Sequence, residues 1–376
     1  MPATPALPAS ERYWLDRADL QRLVDLLAGD GRRVLGPRVR DGAVVYAELD
    51  DVSALPRGVH SEQGPGHYRL LQGDGPHCFG WAAPAQSLKP LLFPPRETLW
   101  RARRDGDGRL AFEAVEPGGA PLAVLGARAC DLAGVGLQDR HFLEHGPADP
   151  AYATRRSGLL VVAVDCGHSA ATCFCASTGD GPAAAAGYDL ALSETDAGYV
   201  VRVGSAAGEA LRAALELRPA SVAEQDLAAQ SLDAAARAQV RRLPPGERAG
   251  AVESVLDDPR WRALGERCLA CGNCTAVCPT CFCHRQVEAA ELDGSASARR
   301  REWGSCFAAD HGYIAGITLR QERWQRYRQW FGHKLGFWET QYGRGGCVGC
   351  GRCITWCPVG IDLTAEAEAL LAQAPA

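Results

Sequence analysis

The strongest constraint on this chain is a cysteine run that occurs twice. Cys268-x2-Cys271-x2-Cys274-x3-Cys278-Pro279 is repeated as Cys347-x2-Cys350-x2-Cys353-x3-Cys357-Pro358. This is the bacterial ferredoxin spacing for a [4Fe–4S] cubane. Three thiolates on one tight loop reach three irons of a single cube. The fourth, just before proline, is carried too far along the chain to join them, and in two-cluster ferredoxins it ligates the other cluster. The expected assignment is therefore crossed. Cys268, Cys271, Cys274 and Cys357 hold a first cluster, and Cys347, Cys350, Cys353 and Cys278 a second. Gly272, Gly349 and Gly351 permit the close backbone approach that gives N–H···S hydrogen bonds, which together with burial set reduction potential. A zinc ribbon pairs C-x2-C with C-x2-C. It has no use for three evenly spaced cysteines, a fourth and a proline, twice over.

The rest of the composition narrows the setting. A chain of 376 residues suggests two or three domains. Forty Lys and Arg against 45 Asp and Glu give a net charge of −5, which excludes a strongly basic nucleic-acid binder. No run approaches the ~18 consecutive apolar residues of a membrane-spanning helix. The opening MPATPALPASERYWLDR lacks a basic region followed by an apolar one, so no secretory signal is read and a reducing cytoplasm is expected. In that compartment the 16 cysteines point to metal sites rather than disulfides.

The expected fold class is mixed α+β: an N-terminal α/β domain over 1–225, then a helical, ferredoxin-like dicluster domain over 226–376. Leu20, Leu23, Leu26 and Leu27 repeat at helical spacing. Gly42–Leu49, Tyr68–Leu71, Pro121–Leu125 and Leu159–Val164 read as strands. The last, LLVVAV, is a continuous apolar run suited to a strand buried on both faces. Cys130–Leu137 opens a helix. AAAAG (183–187) and GSAAG (204–208) read as loops, as does the turn Gly179–Pro182. From about Ser221 to Leu264 the Ala, Arg, Glu and Leu content predicts helices. Residues 319–342 predict another, and the 69-residue separation of Cys278 from Cys347 is expected to be filled by a helical, aromatic-rich insertion. That arrangement resembles the α-helical ferredoxin domains of fumarate reductase and heterodisulfide reductase subunits, which pass electrons between other subunits. The basic runs Arg101–Arg104 and Arg299–Arg301 read as solvated faces or as surfaces for an acidic partner.

Two further thiol groups remain. Cys166, Cys173 and Cys175 follow a predicted buried strand, and Cys130 follows a second strand by a short turn. Loops at the C-terminal ends of strands are where sites gather, so these four are candidates for a third cluster. Cys281, Cys283 and Cys306 lie near the ferredoxin runs and are candidates for a further one, with His284, Asp310 or His311 as non-cysteine ligands. The alternative is inert buried thiols, which is the reading taken for Cys78. There is no G-x-G-x-x-G after a strand and no phosphate loop, so no dinucleotide fold is expected.

CLACGNCTAVCPTCFC, WGSCF and CVGCGRCITWCPVGID resemble the β subunits of sulfhydrogenases, the group 3b nickel–iron hydrogenases, a family that includes the A subunit of anaerobic sulfite reductase. The resemblance extends upstream through LLFPPRETLW, GARACDLAGV, DPAYATRRSGLLVVAVDC, CFCASTGDGP and GYDLALSE, roughly residues 85–365. It implies an electron-transfer subunit with no catalytic residues of its own. It relays electrons between an FAD/[2Fe–2S] subunit that binds NAD(P)H and the small and large subunits of a nickel–iron hydrogenase. The alternative is a relay to a sirohaem sulfite reductase subunit. The family pattern includes cysteines like Cys130, Cys166, Cys173, Cys175, Cys281, Cys283 and Cys306.

Overall fold

The computed structural model describes residues 11–29, 31–115, 120–245 and 248–372. The first ten residues of the segment read for a secretory signal lie outside these. Eight strands form the main sheet, in the order Arg218–Pro219, Tyr13–Asp16, Gly198–Val203, Leu190–Glu194, Leu159–Val164, Leu122–Ala127, Arg33–Arg40 and Ala43–Glu48. The four from Leu190–Glu194 to Arg33–Arg40 run parallel, and the outer pairings are antiparallel. Strands in the middle of a parallel sheet are covered on both faces and so carry unbroken apolar runs. Val162 and Val164 point into one core, with Leu23 and Leu27 of the helix Leu20–Ala28. Val161 and Ala163 point into another, with Leu132 of Ala129–Asp139 and Tyr152 of Pro150–Ser157. The fold is mixed helix and sheet, as expected.

Some local readings change. GSAAG is a helix start rather than a loop: the Ser205 Oγ accepts from the Gly208 amide at 3.0 Å and caps Ala206–Leu215. The insertion between the cysteine runs is not helical at first. His284–Ala290 and Ala296–Trp303 form an antiparallel hairpin, and the second strand pairs with Arg96–Arg104, which pairs in turn with Leu110–Ala114. Most positions on both faces of this small sheet reach solvent, so no apolar alternation marks the strands. The two basic runs sit on adjacent strands of it. Arg301 is not solvated: it is buried between Glu97 and Asp149 and lies over the Phe93 ring. Helices follow at Arg323–Leu335 and Trp338–Tyr342.

A third core gathers Trp261, Leu264, Tyr327, Trp330, Phe331 and Ile354 around the cysteine runs. Its helices are Arg260–Arg267, Arg323–Leu335 and Leu363–Leu371. Among the described residues no helix is long and apolar enough to cross a membrane.

Candidate metal centres

Each cysteine run leaves a helix or strap and enters a loop with two left-handed residues. In the first, Cys268 still bonds back to the Leu264 carbonyl at the end of Arg260–Arg267. Ala270 (φ +52°) and Gly272 (φ +78°) then turn the chain into the short helix Asn273–Ala276. In the second, the Cys347 amide bonds the Lys334 carbonyl at 3.0 Å. Gly349 (φ +63°) and Gly351 (φ +73°) lead into Arg352–Thr355. The same alternation places thiols at matching steps of both loops. Backbone amides already reach sulfur: Ala270 N–H donates to Cys268 Sγ at 3.4 Å, and Ile361 N–H to Cys357 Sγ at 3.3 Å.

Two cavities result. One is lined by Cys268, Cys271, Cys274 and Cys357, with Cys353 also in its wall. The other is lined by Cys278, Cys347, Cys350 and Cys353. Each cavity thus takes three thiols from one run and the pre-proline thiol of the other. Trp330 and Leu363 stand in both walls, so the cavities are neighbours. All 16 cysteines are free. Among the described residues no three His, Cys, Asp or Glu side chains converge as they would on a single ion. Thiols standing apart around an apolar hollow suit the corners of a cubane rather than one zinc ion.

The electrostatics of the second cavity are distinctive. Burial pushes the Cys347 thiol up to about 12. Cys278 is held well below the usual thiol range by a hydrogen bond from Cys281, with help from the Lys334 ammonium and Thr280. Lys334 is buried and donates to Thr280 Oγ1 at 2.8 Å, and that hydroxyl lies 3.2 Å from Cys278 Sγ. Arg352 and Asp131 are both 0% exposed and paired at 2.7 Å, with Arg352 also 3.9 Å from Cys130 Sγ. Sequence reasoning passed over Lys334, Lys89, Thr280, Asp131 and Arg352. The available signal was composition: of 40 Lys and Arg, only Lys89 and Lys334 are lysines.

The third thiol group sits where strand order predicts. Leu122–Ala127 and Leu159–Val164 are parallel neighbours, so the loops after them, carrying Cys130 and Cys166, leave the same end of the sheet. Cys173 and Cys175 are buried, and burial together with Cys166 raises the Cys173 thiol to about 12. Cys175 lies within electrostatic reach of Cys173 and Cys166, and Cys130 of Cys175 and Cys350. The Gln239 amide donates to Cys175 Sγ at 3.3 Å. This loop is pressed onto the second ferredoxin loop: the Phe174 amide bonds the Gly349 carbonyl at 2.8 Å, and Phe174 lines the second cavity.

The fourth group is more dispersed. Cys281 turns toward Cys278, whereas Cys306 is buried within reach of Cys283 and of Cys274. Cys281, Cys283, His284, Asp310 and His311 line one open cavity with Lys89 and the exposed Cys271. Cys78 packs in the first core beside Phe79 and Trp81.

A family model for a 4Fe-4S dicluster domain matches residues 267–361. The chain is 31% identical over 283 residues to sulfhydrogenase 2 subunit beta of Pyrococcus furiosus, covering 73% of this chain and 79% of that one. No solved structure matches.

Proposed function

Because the chain belongs to the sulfhydrogenase beta-subunit family, and so is an iron–sulfur electron-transfer subunit, we propose that it relays electrons in the cytoplasm between a flavin subunit that oxidises NAD(P)H and a nickel–iron hydrogenase module. The observation that carries this is the pair of adjacent cavities with exchanged fourth thiols. A [4Fe–4S] centre supplies one-electron exchange with no proton or group transfer. The protein's part is to hold, space and insulate. We assign Cys268, Cys271, Cys274 and Cys357 to the first centre, and Cys278, Cys347, Cys350 and Cys353 to the second.

The surroundings support an order for the relay. The first cavity opens beside exposed Cys271, Leu269 and Val359, which suits a face where a partner docks. The second is enclosed by Phe174, Trp330 and Val348. Behind it, Cys130, Cys166, Cys173 and Cys175 are proposed as the ligands of a third centre, joined to the second by the Phe174–Gly349 bond. Cys281, Cys283 and Cys306 are proposed as ligands of a further one, for which the open cavity beside Lys89 has room.

Cys278→Ser tests the reading in anaerobically purified full-length chain. Expected is loss of the spectroscopic signal that Cys350→Ser also removes, with the signal removed by Cys271→Ser intact. Loss of the Cys271-type signal instead would overturn the crossed assignment. About eight irons per parent chain corresponds to two cubanes, and about twelve or sixteen to one or two more. An anaerobic pull-down that brings down a nickel–iron large subunit supports the hydrogenase relay. A sirohaem subunit in its place moves the terminal reaction to sulfite reduction.

A further inference from the structure

We propose that Lys334 is the buried counter-charge of the centre held by Cys278, Cys347, Cys350 and Cys353, and that it raises the reduction potential of that centre selectively. The inference rests on the ligand assignment proposed above. Its starting point is where the chain puts its only two lysines. Both are 3% exposed, although lysine is ordinarily among the most exposed residues. Every ion pair given for the described residues is made by arginine or histidine, including the buried ones at Arg301 and Arg352.

A buried ammonium is costly unless an opposite charge meets it. Among the described residues neither lysine has a carboxylate partner. Lys334 donates to the neutral Thr280 hydroxyl and stands 4.9 Å from the Trp338 ring centre. Lys89 donates to the Thr275 carbonyl at 3.0 Å and lies 3.8 Å over the Trp303 ring. They approach from different parts of the chain, Lys89 from the helical turn Lys89–Leu92 and Lys334 from Arg323–Leu335. The groups that can meet a buried ammonium there are cysteine thiols. Lys334 stands in the wall of the second cavity together with Cys278, Cys347, Cys350 and Cys353, and through Thr280 it is one hydroxyl away from Cys278 Sγ. Lys89 instead lines the open cavity with Cys271, Cys281 and Cys283.

A centre with four thiolate ligands becomes one charge more negative on reduction. A fixed cation in a low-dielectric wall therefore favours the reduced form over the oxidised one. The first cavity has no cation in its lining. The cations beside its loop are Lys89, on the Thr275 carbonyl at 3.0 Å, and the exposed Arg323, on the Cys268 carbonyl at 3.0 Å, where water and salt screen it.

The test is a potentiometric titration of the full chain followed by electron paramagnetic resonance. Lys334→Met keeps the stem length and removes the charge. The one-electron equilibrium of the Cys278 centre should shift at least tenfold toward the oxidised form, a fall of 59 mV. The Cys268 centre should stay within threefold. Lys334→Gln, which keeps a polar end beside Thr280 but removes the charge, should shift the same centre in the same direction, and it provides the readout if the first variant does not take up iron. An unmoved Cys278 centre in iron-replete variants, or an equal shift of both centres, would overturn the proposal. The Cys278→Ser control keeps the two readings apart: if it abolishes the other signal, the assignment fails, while a lysine effect on either signal is still measured.

Discussion

Ala270 and Gly349 occupy the same step of the two cysteine loops, both in the left-handed region, under different constraints. A Cβ at Gly349 would stand 2.5 Å from the Cys175 backbone, and one at Gly351 would stand 2.3 Å from the Thr172 carbonyl. In the first loop, the Cβ of Ala270 exists and is accommodated, and one at Gly272 would meet only Ser305 Oγ at 3.2 Å. The second loop is thus squeezed against the Cys173–Cys175 loop, and the first is not. Gly349→Ala adds about 1 kcal/mol of left-handed strain to a backbone clash that no side-chain rotation relieves. We expect it to lower the thermal midpoint sharply and to disturb the second centre. Ala270→Gly relieves the same strain with no clash and should be neutral or stabilising by up to ~1 kcal/mol. Differential scanning calorimetry on both variants checks the contrast. The sequence reading credited these glycines with approach to sulfur. Their tightest contacts are with another loop, which spacing within the run cannot reveal.

At the scale of elements, the legible parts were those whose signal is local. LLVVAV reads as a doubly covered strand because its burial is continuous, and it spans Leu159–Val164 as expected. The ferredoxin runs are legible because eight thiols in two short loops leave few ways to surround a cube. The hairpin of His284–Ala290 and Ala296–Trp303 was illegible because it is stabilised by a strand almost 200 residues earlier in the chain and by one buried arginine. Arg301 Nε donates to Glu97 at 2.8 Å, Arg301 also pairs with Asp149, and Asp149 caps the helix Pro150–Ser157 through the Tyr152 amide. Three elements therefore hang on one guanidinium. Arg301→Leu leaves two carboxylates in a largely dry site and should cost about 3–5 kcal/mol. Arg300→Leu, one residue away and half-exposed, should cost within ~0.5 kcal/mol. Paired chemical denaturation curves measure both.

For the whole molecule, the composition change near residue 225 and the packing disagree about where one unit ends. The cysteine-rich part borrows from the N-terminal part in many places, among them three that join backbone to backbone or bury a charge pair. Ala296–Trp303 is paired to Arg96–Arg104, Gly349 accepts the Phe174 amide, and Arg352 meets Asp131 with both side chains wholly buried. A fragment of residues 226–376 would expose an unpaired sheet edge and strand the Arg352 charge. We expect it to aggregate or to bind substoichiometric iron, whereas the full chain should unfold in one cooperative transition. The Arg352–Asp131 pair isolates the coupling. Asp131→Leu alone leaves the guanidinium in the interior with the Pro84 carbonyl at 2.6 Å and Cys130 Sγ at 3.9 Å but no carboxylate to meet it, and should cost about 3–5 kcal/mol. Arg352→Met alone strands the carboxylate and should cost a comparable amount. Together the two substitutions remove both charges from the same dry site, so the double variant should be more stable than either single one. A double-mutant cycle by thermal denaturation measures that coupling directly. Strictly additive losses would mean that the two parts are held together elsewhere, by contacts such as the strand pairing, the Phe174 bond and the Arg344–Asp180 ion pair, rather than by this pair.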